Sequence, residues 1–110
     1  MAKIFISDEQ LWEDILVGDN RAFAAFYDRH WLPLYKAALY YLKDQNKAEE
    51  VVHEIFVEIW NKRHTLNIKN FPAYLNSATR YEVYRRMKSA KSNQIELQNA
   101  FSYIVKIIQL

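Results

Sequence analysis

The chain has no cysteine, one glycine and two prolines in 110 residues, and each shortage removes a class of architecture. Without cysteine there are no disulfides and no thiolate metal sites, which fits a reducing compartment. So little glycine and proline leaves few tight turns for hairpins, and favours helices over a strand-rich fold. No apolar run approaches the ~20 residues that a membrane-spanning helix needs, and the opening MAKIFISDEQ turns acidic too early for a secretory signal peptide. Membrane insertion is therefore not expected, and a cytoplasmic location is. A glycine-rich phosphate loop is impossible with a single glycine. His30, His53 and His64 do not have the spacing of an HExxH metal site. Neither catalysis nor a cofactor is expected.

What remains is an ordinary globular composition, 51% hydrophobic and 25% charged, long enough for one domain with a modest core. The charge is unevenly placed. Residues 1–60 carry six Lys or Arg against eleven Asp or Glu, whereas residues 61–91 carry eight basic residues against Glu82 alone. The net +2 thus hides an acidic half and a basic stretch. Such an asymmetry points to two different partners, the basic stretch being a candidate for a polyanion. A solvated basic face is the plain alternative.

Four helical segments can be drawn. The first covers roughly residues 8–17, with Ser7 and Gln10 spaced as a capping box and Gly18 closing it. The second runs from about 20 to 42 behind Asp19 or Asn20. In it Phe23, Phe26, Tyr27, Leu34, Ala38 and Leu42 recur at helical spacing, and Pro33 predicts a kink. The third spans about 45–63 after Asp44 or Asn46. The fourth starts behind Asn70, with Pro72 in its first turn. The expected fold is all-α, a compact antiparallel bundle of three to four main helices. Its expected divisions are a short N-terminal helix at 1–18, a helical domain at 19–89, and a linker with an amphipathic tail at 90–110. In that tail Phe101, Ile104, Val105 and Ile108 form a stripe.

The third segment has two faces. Ala48, Val52, Ile55 and Ile59 share one stripe, with Val51 and Phe56 at its margins, and predict the core side. Glu50, His53, Glu54, Val57 and Asn61 lie opposite, with Trp60 on the edge. An apolar spot among carboxylates suits a helical partner carrying Arg or Lys, although single exposed apolar residues also occur without function. In the fourth segment Phe71, Leu75 and Ala78 predict a buried stripe, and Glu82 the point where the helix leaves the core. Tyr74, Ser77, Tyr81, Tyr84 and Lys88 form a second stripe beside Arg80, Arg85 and Arg86. Aromatics beside cations suit single-stranded nucleic acid, since rings stack on unpaired bases while cations take phosphates. The alternative is that the tyrosines pack against the second helix with only their hydroxyls in water; this is the expectation for Tyr74, and base contact for Tyr81 and Tyr84.

In this order, GDNRAFAAFYDRHWLPLYKAALYYL, KAEEVVHEIFVEIWNKR and NFPAYLNSATRYEVYRRMKS resemble region two of a sigma-70-type factor of the extracytoplasmic-function group, over about residues 17–89. The resemblance implies a transcription initiation role. Glu50, His53, Glu54, Val57 and Trp60 would dock on the clamp helices of the RNA polymerase beta-prime subunit. Lys62, Arg63, Asn67, Lys69, Asn70, Ser77, Arg80, Tyr81, Tyr84, Arg85, Arg86 and Lys88 would serve the promoter minus-ten element, its non-template strand and its melting. An anti-sigma factor is a further partner that the resemblance admits. The chain departs from the family where a docking glutamine is commonly found, at His53, and where Asn and Asp often stand, at Tyr81 and Arg85. The family's C-terminal helix-turn-helix region has no counterpart in these residues. The competing reading is a helical protein-interaction module without a DNA role.

Overall fold

Helix boundaries in this chain follow from side chains that complete the backbone hydrogen bonding at each helix start. The computed structural model describes residues 5–89, and the predicted linker and tail lie outside the described residues. Four helices make up the fold, α1 (Asp8–Leu16), α2 (Asn20–Leu42), α3 (Gln45–Lys62) and α4 (Phe71–Ser89), with no strand among the described residues. The all-helical expectation holds. None of these helices is long and apolar enough to cross a membrane.

Each start has its cap. Ser7 accepts from the Gln10 amide at 3.2 Å while the Gln10 side chain accepts from the Ser7 amide at 3.0 Å, a complete capping box. Asp19 accepts from the Arg21 and Ala22 amides, Asp44 from Lys47, and Asn70 from Ala73. Gly18 takes a positive φ of 89° just beyond α1, where a residue without Cβ avoids a steric cost. Lys43 closes α2 in the left-handed region, its amide bonded to the Leu39 carbonyl. The α2 helix runs unbroken through the exposed Pro33, where water can take up the Arg29 carbonyl that loses its partner. Replacing Ser7 with alanine removes the box and is expected to cost about 1 kcal/mol in a urea melt. An unchanged midpoint would mean that α1 is held by packing alone.

Packing converges on α2. Phe26 is fully buried, and its ring meets Trp12 of α1 at 6.3 Å, Phe56 of α3 at 6.0 Å and Phe71 of α4 at 5.7 Å. Trp12 and Phe71 also meet edge to face at 5.7 Å, so one aromatic cluster touches all four helices. The predicted α3 stripe, Ala48, Val51, Val52, Ile55, Phe56 and Ile59, is buried throughout. At the other end of α1, Asp8 holds both Arg29 and His30 of α2 at 2.9 Å.

The buried stripe of α4 differs from the expected one. It consists of Phe71, Leu75, Thr79 and Val83, with Glu82 beside them at 5% exposure, while Ala78 is only half-buried. The helix therefore does not leave the core at Glu82. Thr79 reads as polar in sequence, yet its hydroxyl donates to the Leu75 carbonyl at 2.8 Å, leaving the methyl to pack. Arg85 donates to Glu82 at 2.9 Å and satisfies the carboxylate at the core edge.

Candidate functional site

On the outer face of α3, Glu50, Glu54 and Glu58 stand one turn apart, where like charges repel. The fold relieves this with cations. Lys62 reaches Glu58 at 2.6 Å from one turn further along α3. Arg86, 36 residues beyond Glu50 in the chain, crosses from α4 and places one nitrogen 2.8 Å from Glu50 and another 2.8 Å from Glu54. The hydrogen bond to Glu58, and then its charge, raise the Lys62 pKa and keep that ammonium protonated. Val57 is exposed on this face, as are His53 and Asn61.

Trp60 lies at the edge of this face, as its spacing suggests, and is turned towards α2. One side of the ring meets Phe23 of α2 at 5.0 Å, and the Arg63 guanidinium lies over it at 4.2 Å. Arg63 also donates to the Trp60 carbonyl at 2.7 Å, closing the end of α3. These two residues, read from sequence as belonging to opposite sites, form one stacked unit. Trp60 is thus half-buried on the core side, and Val57 is the large apolar group that the acidic face presents to solvent.

The fourth helix presents Tyr81 at 59% exposure. It lines a groove between α3 and α4 with Tyr84, Arg85, Arg86 and Lys88, and a second one with Tyr74 and Ser77. Tyr74 is half-buried, and burial first, then the charge of Glu58, raises its phenol pKa and keeps it neutral. Tyr84 is half-buried as well. Arg80, Lys69 and Lys88 make no ion pair among the described residues, in contrast to Lys62, Arg85 and Arg86. Asn67 and Lys69 are exposed in the connection between α3 and α4, while the Asn70 side chain is occupied as the α4 cap.

Sequence reasoning missed one wall of this region. Tyr27, Trp31 and Tyr35 of α2 line a groove whose other side is Glu49, Glu50, His53 and Glu54 of α3. Their spacing of four residues was the available signal, since it puts three rings on one helical face.

The model of the family described as Sigma-70 region 2 matches residues 26–93. That is more than half of the chain. The chain belongs to the sigma-70 region 2 family. No curated protein matches it. Region 2 domains belong to transcription initiation factors, which bind RNA polymerase and recognise the promoter minus-ten element; they are not an enzyme family. In this sigma region 2 the match starts at Phe26, the hub of the aromatic cluster, and takes in α3 and α4 entire.

Proposed function

We propose that the domain is the promoter-recognising region 2 of an extracytoplasmic-function type factor, with separate duties for its two outer helices. The acidic face of α3 docks on the beta-prime clamp helices of RNA polymerase through Glu50, His53, Glu54 and Val57. The connection from Lys62 to Asn70 and the exposed side of α4 meet the minus-ten element where duplex becomes single strand. The observation that carries this reading is Tyr81: a ring left in water on a helix whose neighbours Arg80, Arg85 and Lys88 are cationic. A ring that stacks on an unpaired base has to be open, and cations beside it can take the adjoining phosphates. Arg80, Lys69 and Lys88 supply phosphate contacts without first giving up an ion partner within the described residues.

The test is fluorescence anisotropy on forked promoter DNA across a salt series, with and without core polymerase. Lys88→Ala is expected to flatten the log–log salt dependence by about 0.7–0.9, the value of one phosphate contact. Tyr81→Ala is expected to leave that slope intact and to cost ~1–3 kcal/mol, mostly in the preference for forked over fully paired DNA. Binding by both variants like the parent would refute the DNA reading.

A further inference from the structure

Tyr81 is not the only ring left open beside cations. Tyr40 of α2 is 67% exposed, and half-buried Tyr41 meets it edge to face at 5.1 Å and steadies it. Leu32, Lys36 and Tyr40 stand four residues apart, with Lys43 three further on. They share the face of α2 turned away from buried Phe26, Leu34 and Ala38. Lys36, Lys43 and nearby Lys47 are exposed and make no ion pair among the described residues. Residues 29–43 hold no Asp or Glu, although the half of the chain around them is acidic. Asp44, next in the chain, is occupied as the α3 cap. Helix packing sets where this face ends. Phe26 meets Phe71 at the start of α4, while Arg86 near the end of α4 meets Glu50 in the second turn of α3. The α4 helix therefore runs in the same direction as α2. Its basic last turn lies at the end of the bundle where Lys43 and Lys47 flank the turn from α2 into α3.

We infer that this face of α2 is a second contact surface for single-stranded nucleic acid, reached by a strand that passes the end of α4. This role rests on the proposed DNA contact of α4 and extends it beyond that helix. Lys36 and Lys43 take phosphates, having no ion partner among the described residues to give up first. The Tyr40 ring, about one turn from each lysine, stacks on a base between those phosphates. Stacking and phosphate contact tolerate any sequence, so the surface adds affinity for an opened strand and does not select a promoter. Its charge also turns away a basic docking partner, which is drawn to the acidic face of α3 instead.

The experiment is anisotropy of the full chain, with core polymerase present, on labelled forked DNA carrying either a short or a long single-stranded oligodeoxythymidine arm. Lys36→Gln with Lys43→Gln is expected to flatten the log–log salt slope on the long arm by about 0.7 for each lysine lost. On the short arm, which ends on α4, the same pair should bind like the parent. Tyr40→Ala is expected to weaken long-arm binding about fivefold or more with the slope unaltered. Tyr40→Phe should restore it, because stacking needs the ring and not the hydroxyl. All of these side chains are exposed, so the fold does not depend on them. Parent-like binding of the long arm by both Tyr40→Ala and the lysine pair, with Lys88→Ala still weakened, would overturn the inference and leave the α4 reading intact. Absence of binding by the parent to either DNA would remove both, and is a distinct outcome. Sedimentation with phosphatidylglycerol vesicles that depends on Lys36 and Lys43, with long-arm binding unchanged, would assign the face to an anionic lipid surface and overturn the inference as well.

Discussion

Truncating Phe26 to alanine is expected to destabilise the domain by ~3–5 kcal/mol, the upper range for a buried aromatic. The ring is fully buried and touches aromatic partners from α1, α3 and α4, so its loss leaves a cavity that three helices would have to close together. Those neighbours are held by their own caps and by the Asp8 contacts to Arg29 and His30, which limits collapse into the space. Against a total stability of roughly 5–15 kcal/mol for a domain of this kind, the loss would leave the fold marginal. Urea denaturation followed by circular dichroism is the measurement. The midpoint should fall with little change in slope, and the melting temperature should drop on the order of 15–30 °C. A loss below about 1 kcal/mol would mean that the aromatic cluster is not the centre of the core.

Reversing the charge at Glu54 is expected to weaken binding to a beta-prime clamp-helix fragment by ~2 kcal/mol or more, roughly 30-fold. Two effects act in the same direction. The variant loses a carboxylate that would meet a basic partner, and it places a lysine beside Arg86, whose guanidinium then repels it and the incoming cations. Val57→Asp should weaken the same complex by putting a charge where apolar contact is expected. Glu13→Lys on α1 changes net charge equally but leaves the α3 face intact, and should have a much smaller effect. Calorimetry gives the affinities and a thermal melt checks that each variant is folded. Parent-like binding by both Glu54→Lys and Val57→Asp would rule out docking through α3.

The helices and their limits were legible in the sequence because the forces that set them are local. A capping serine and its glutamine lie three residues apart, and so do Asn70 and the amide it accepts. The α3 core stripe follows from the helical period, since α3 packs along one side and its opposite face carries charge. The two halves of opposite charge were likewise visible as a count along the chain. The tertiary structure alone decided how these faces are rotated against one another. Rotation of α4 buries Thr79 and Val83 in place of Ala78, and the Thr79 hydroxyl can go inside only because the Leu75 carbonyl accepts its hydrogen bond. The same packing sets Arg63 over Trp60 beside Phe23, merging two residues that the family resemblance assigns to separate partners. It also brings Arg86 within 2.8 Å of Glu50 and Glu54. An ion pair between helices depends on their crossing and phase, which no periodicity along a single helix contains. That is why the acids of one predicted surface and a cation of the other were read as independent, and why only the packed helices join them.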